Sequence, residues 1–243
     1  MNFKKISEEV MNTVGLSSLP VGVKFYKEYY LIEQLDKIDC RFCQAVMEAR
    51  KGKSIIINKD NIACPAAAAA FGLKPLTEQL KNGKTLQGYG IFSELEVGQK
   101  VMETMPRIEQ NKYNSVLVKP LKDFDEAPDV IIVEDEVEIL MWLALAYLND
   151  EGGRLEFSTS ILQAVCVDAC VIPYLSDKIN MSFGCYGCRD ATDVKSGEAV
   201  LGFPYSKLEM VIKNLEYLKT QAIGRSRAKN VNKAFLDRLG ENK

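Results

Sequence analysis

Two thiols three positions apart, in Ser182-Phe183-Gly184-Cys185-Tyr186-Gly187-Cys188-Arg189, constrain this chain more than any other stretch. The spacing lets both sulfurs face one metal or one cluster. The flanking glycines admit positive φ and let amide N–H groups turn toward sulfur. The remaining thiols are distant in sequence: Cys40 and Cys43, Cys64 in Ala63-Cys64-Pro65, and Cys166 and Cys170. A fold with this set reads as a device that brings some of them together. Histidine is absent. That removes Ser–His and Cys–His catalysis, histidine metal ligands and haem on a proximal histidine. Any metal must take cysteine or oxygen ligands.

A chain of 243 residues can bury a full core, as one large domain or two small ones. Its start, Met1 to Ile6, lacks the apolar core of a signal peptide. The longest apolar run, Ile139 to Leu148, is too short to span a bilayer. A cytoplasmic protein is expected. There, seven cysteines, an odd number, argue for reduced thiols rather than a disulfide framework. A net charge of −2 argues against nucleic acid as a partner. With membrane and nucleic acid set aside, a redox partner or small-molecule substrate remains, with an oligomer open.

Residue patterns place the elements. Phe3 to Val14 carries Ile6, Val10, Met11 and Val14 at helical spacing. Val21 to Phe25 alternates as a strand, Phe42 to Arg50 reads as a short helix stopped at Gly52, and Ser54 to Asn58 as a buried strand. Pro65 and five alanines open a helix with Cys64 at its N-cap, where free N–H groups favour a thiolate. Residues Lys81 to Gly90 read as a Gly-rich loop, and Ser93 to about Met105 as a helix with Glu96 in capping-box register. Asn82 to Thr85 ends like a phosphate-binding loop, but Glu78 stands where its first glycine belongs, so a polar turn is the reading. Strands follow at 114–119 and 129–133, and the carboxylates at 134 to 138 fit the start of a helix from Glu136 to Leu148. Ser158 is expected to open a helix to Cys170 or Val171. Strands at 179–183 and 199–202, a helix from Pro204 to about Lys219 and a basic tail complete the chain.

Several words recur in order. Val23-Lys24 matches Val118-Lys119, Gln44-Ala-Val matches Gln163-Ala-Val, Cys64 and Cys185 each follow a strand, and Ser93 after Gly90-Ile-Phe matches Ser206 after Gly202-Phe-Pro. Chance similarity among common helix and strand words is one account; an internal duplication is the other. The latter predicts an α/β or α+β fold of two similar βα-containing halves, 1–110 and 111–220, with a basic tail at 221–243 and the cysteine site between the halves.

The stretches Leu19-Pro-Val-Gly-Val-Lys24, Cys43-Gln-Ala-Val46, Ala63-Cys64-Pro65-Ala66, Asp129-Val-Ile-Ile132, Ala164-Val-Cys166 with Asp168-Ala169, and Gly184-Cys-Tyr-Gly-Cys-Arg189 together resemble the domain-of-unknown-function 169 family of archaea and mainly anaerobic bacteria. The resemblance runs from Leu19 to about Tyr205. The family pattern has a glycine after Cys-Pro, where this chain has Ala66. The resemblance implies the architecture of a site more than an activity.

Three chemistries compete for the thiols. An iron–sulfur cluster, [4Fe–4S] foremost, takes four thiolates, burial and N–H donors to sulfur. Cys64, Cys185 and Cys188 supply these, with Cys43 or Cys166 completing the set and Arg189 as a charge beside the cofactor. A Cys₄ zinc site would use Cys40/Cys43 with Cys185/Cys188, though so wide a separation is unlike a zinc ribbon. Third, cysteine is a common core residue, and Cys170 reads as such. A dithiol redox pair is weaker, because no helix is evident after Cys188. The expectation is a metal-binding iron–sulfur protein of anaerobic metabolism, passing electrons or acting on a small molecule at an exposed cluster. The alternatives are a structural or carrier zinc protein and a metal-free ligand-binding domain. Whether the protein is an enzyme stays open.

Overall fold

Alternating apolar residues build an antiparallel sheet whose two faces are both covered. The computed structural model describes residues 2–29 and 39–240. Helix α1, Phe3–Val14, is capped by Asn2, whose side chain accepts from the Lys5 N–H at 3.0 Å, and ends at Gly15 with φ of 81°. Then come β1 (Val21–Tyr26), α2 (Phe42–Arg50), β2 (Ile55–Asn58) and α3 (Pro65–Ala70). Short helices α4 (Glu78–Lys81), α5 (Lys84–Gly88) and α6 (Leu95–Glu103) lead to β3 (Ser115–Pro120). The second part holds β4 (Val130–Glu136), α7 (Val137–Glu151), a π-helix (Ala164–Val171) continued by α8 (Ile172–Ser176), β5 (Asn180–Ser182), α9 (Tyr186–Ala191), β6 (Glu198–Pro204) and α10 (Leu208–Leu218). Helices α11 (Gly224–Ala228) and α12 (Asn230–Leu239) form the tail.

The strands run in the order β2-β3-β1-β4-β6-β5, every neighbour antiparallel. The fold is therefore mixed α and β, of the α+β kind. Because strand side chains alternate, each strand feeds both faces. Val21, Val23, Val116, Val118, Val130, Ile132 and Val200 meet α2, α3 and the π-helix. Leu117, Ile131, Val133, Leu201 and Phe203 meet α1, α7 and α10. Among the described residues no helix is long and apolar enough to cross a membrane.

From its centre the sheet reads alike in both directions: β1, β3, β2 one way and β4, β6, β5 the other. That order sets β1 beside β4. Two sequence matches follow a different register. Val23 and Val118 are cross-strand partners on β1 and β3, and residues 90–92 lie outside any strand while 202–204 lie in β6.

Four local expectations change. The segment 158–163 is not helical; the chain turns through Ile161 and Gln163, both at positive φ (59° and 55°), before the π-helix starts at Ala164. Residues 81–90 are mostly two short helices rather than a loop, and α6 starts at Leu95 with Glu94 as N-cap, so the Ser93–Glu96 capping box is absent. The carboxylates before α7 do other work: Asp135 accepts the Ser17 N–H at 2.7 Å and the Ser17 hydroxyl at 3.0 Å, and Glu134 pairs with Arg50.

Candidate functional site

Four elements deliver one sulfur each to a single cavity of about 220 Å³ on the α2–α3 face of the sheet. Cys43 comes from the first turn of α2, Cys64 from the N-cap of α3, Cys166 from the π-helix and Cys185 from the N-cap of α9. All four line the cavity, together with Cys188. Each placement has a local cause. Pro65 at the first helical position fixes where α3 begins, so Cys64 must precede it. Gly184 (φ 104°) turns the chain from β5 into α9, and a side chain there would press on the Arg189 guanidinium at 3.1 Å. Cys166 lines the cavity, while Cys170 is wholly buried in the core.

Hydrogen bonds lock these elements together. Gln44 on α2 accepts the Arg41 N–H at 2.9 Å and donates to the Ala191 carbonyl at 3.1 Å, tying α2 to α9. Asp168 anchors the π-helix: its carboxylate accepts from Thr159 at 2.6 Å, Thr159 meets Ser182 at 2.9 Å, and Asn180 donates to the Asp168 carbonyl at 2.8 Å. The π-helix lies so close to β6 that a Cβ on Gly202 would stand 1.7 Å from the Ala169 carbonyl oxygen. Residues Asp168, Thr159, Asn180 and Gln44 were missed as supports. Their hydrogen bonds join separate segments, and the quoted words contain only Gln44 and Asp168, with nothing in them to mark a supporting role.

Cys185 and Cys188 form a capping box in which sulfur replaces oxygen. The Cys188 N–H donates to the Cys185 sulfur at 3.3 Å, and the Cys185 N–H to the Cys188 sulfur at 3.0 Å. The Cys188 thiol hydrogen bond, helped by backbone N–H groups of Ala164, Cys188 and Gly187, brings the Cys185 pKa down to about 6. Cys188 moves the opposite way, raised first by that same hydrogen bond and then by burial. Burial pushes Cys43 up to about 12, with the nearby sulfurs of Cys185 and Cys64 adding to it. Cys166 is raised chiefly by burial and further by Cys64, Cys185 and Cys43. The sulfurs that raise Cys43 and Cys166 thus include those of Cys64 and Cys185, from two other elements. A cationic or metal-containing occupant would relieve both the burial and the repulsion.

The other candidates lie elsewhere. Cys40 is buried, bridged to Ile62, and outside this cavity. Arg189 spends its guanidinium on backbone carbonyls, at 2.5 Å to Lys195, 2.7 Å to Phe183 and 2.8 Å to Glu198, and so shapes the loop. The reading that no helix follows Cys188 is corrected: α9 starts at Tyr186 and contains Cys188. The expectation of a ready-made metal-binding site is corrected as well. Among the described residues no group of three or more Cys, Asp or Glu side chains is placed to hold a metal ion. A single tetrahedral ion needs its sulfurs to meet about 2.3 Å from one point, whereas these surround a cavity.

Known proteins were compared with the chain. An uncharacterised protein of Methanocaldococcus jannaschii is 31% identical over 224 residues, covering 90% of this chain and 94% of the relative. No solved structure matches. The family model described as DUF169, uncharacterised ArCR, matches residues 9–214, which include all seven cysteines and every strand. With most of its length matched by that model, the chain belongs to the DUF169 family.

Proposed function

We propose that Cys43, Cys64, Cys166 and Cys185 would hold an iron–sulfur cluster, and that the protein passes electrons or acts on a small molecule there. The observation that carries this reading is four thiols from four separate elements lining one half-enclosed cavity. A cluster spans thiolates too far apart to share one ion, since its own iron and sulfide atoms occupy the space between them. The donor set fits: thiolates without histidine, burial, and N–H groups directed at sulfur. When bound, the cluster would supply one-electron chemistry or a Lewis-acidic iron. The chain's part is to hold the thiolates, exclude water and admit a partner past the rim. That rim carries Tyr89 and Tyr186, stacked at 6.3 Å and both exposed. Free thiols and such a cluster suit a reducing cytoplasm, with a redox partner or small molecule as the other component.

The test is iron and acid-labile sulfide per chain, with a visible spectrum, on protein purified without oxygen. Near-equal iron and sulfide are expected. Serine at Cys43, Cys64, Cys166 or Cys185 should each cut the iron content severalfold, while Cys40→Ser and Cys170→Ser should leave it unchanged. Zinc without sulfide would replace this reading with a structural or carrier role, and seven free thiols without metal would leave a metal-free ligand-binding domain.

A further inference from the structure

The cluster reading uses one thiol of the Cys185–Cys188 pair and leaves the second without a task. Cys188 is 2% exposed and sits directly behind Cys185, which is half-buried at the cavity wall. Each backbone N–H of the pair donates to the other's sulfur, at 3.0 and 3.3 Å, and the Cys188 thiol lies 3.1 Å from the Cys185 carbonyl. A core cysteine needs none of this. The arrangement is a half-buried sulfur at the cavity wall with a protected thiol beside it, two intervening residues apart and tied to it through both backbone N–H groups. Phe183 and Tyr186, 63% and 55% exposed, flank the reachable sulfur.

We propose that Cys185 and Cys188 form a reversible dithiol–disulfide pair that exchanges with an external disulfide. The Cys185 thiolate attacks one sulfur of R–S–S–R, forming a mixed disulfide and releasing RS⁻. Cys188 loses its proton and attacks the Cys185 sulfur, which breaks the mixed disulfide and releases the second RS⁻. The two cysteines lose two electrons and two protons overall, and the external disulfide becomes two RSH. The reverse sequence with an external dithiol restores the pair. This activity goes beyond the cluster reading and does not depend on it. Where both hold, they exclude each other, because the Cys185 sulfur cannot ligate iron while bonded to Cys188. Oxidation of the pair would then block loading of the cavity.

The full-length chain, stripped of metal with a chelator and without oxygen, would be equilibrated in glutathione redox buffers. Alkylation, intact mass and peptide mapping would follow the thiols. The expected result is one disulfide, Cys185–Cys188, that forms with rising glutathione disulfide and reverses with dithiothreitol. Cys188→Ser should trap one glutathione at Cys185, and Cys185→Ser should lower the rate of thiol loss at least tenfold. Cys170→Ser should behave as wild type, with far-UV circular dichroism verifying that each variant is folded. A disulfide from Cys185 to Cys43, Cys64 or Cys166, or no reversible oxidation of the folded wild-type chain, would overturn the proposal. Iron and sulfide content is read separately, so failure of either idea leaves the other measurable.

Discussion

On one face of the sheet, α1, α7 and α10 lay 12, 15 and 11 residues against the strands. On the other face the cover is α2, six-residue α3 and α9, and a π-helix. Both faces use the same strands, so the contrast comes from what each helix must do. A helix that only buries apolar surface can be long and regular, and its energy grows with the area covered. A helix that delivers a sulfur to a chosen point must begin, end or widen at a fixed residue. The cysteine face therefore consists of N-caps, short turns and left-handed entries such as Ile161 and Gln163. Such conformations cost energy and concentrate at functional sites. The same face also buries charge. Arg50, at the end of α2, reaches Glu198 at 2.9 Å and Glu134 at 3.2 Å, all three under a tenth exposed. Removing one member of such a group leaves an uncompensated buried charge.

If the two faces differ in this way, changes to each should separate stability from thiol chemistry. The largest effect is expected from Gly202→Val. Its side chain would enter the Ala169 carbonyl, backbone against which no rotamer change helps. A loss of more than about 4 kcal/mol, or no folded protein, is expected, with Cys166 displaced from the cavity. A variant that melts with the wild type and keeps its thiol reactivity would show that the π-helix and β6 do not touch as described. Next, Leu143→Ala on α7 empties a site 1% exposed on the opposite face. It should cost about 2–5 kcal/mol in urea denaturation while alkylation rates at Cys185 stay unchanged. Altered Cys185 chemistry there would mean that the faces are coupled through the sheet.

The smallest effect is a pH dependence. Burial raises Glu134 from 4.5 to about 7; Arg50 lowers it and Glu198 adds to the rise. A carboxyl with a raised pKa holds its proton more tightly folded than unfolded. Its contribution is full below about pH 4.5 and is lost as pH climbs to about 7. Glu134→Gln should flatten the stability curve across that window by about 1 kcal/mol or more. Parallel curves for variant and wild type would remove Glu134 as the cause.

Much of the regular face was legible in the residues. The stripe of Ile6, Val10 and Val14 places α1, and Leu208, Val211, Leu215 and Leu218 place α10, because period and burial coincide there. Cys64 at an N-cap was legible for a similar local reason, since Pro65 fixes the helix start. The helix read from Ser158 was wrong because its apolar residues continue without a stop, and periodicity does not distinguish a π turn from an α turn. The helix after Cys185 escaped notice because glycine-rich Tyr186-Gly187-Cys188 has poor helix propensity; the cap formed by the two sulfurs outweighs it.

The sequence alone determined the chemistry available: seven thiols, no histidine, and a Cys-x-x-Cys preceded by Gly184 and containing Gly187. Ligand type is a property of side chains, so composition settles it. Which thiols share a space was decided only by tertiary structure. Cys43, Cys64, Cys166 and Cys185 meet because four elements pack on one face of an antiparallel sheet, held by Gln44, Asp168 and the absent side chain of Gly202. The Gln44 contact joins residues 147 apart in the chain. Nothing local in the chain encodes such contacts; the strand order does.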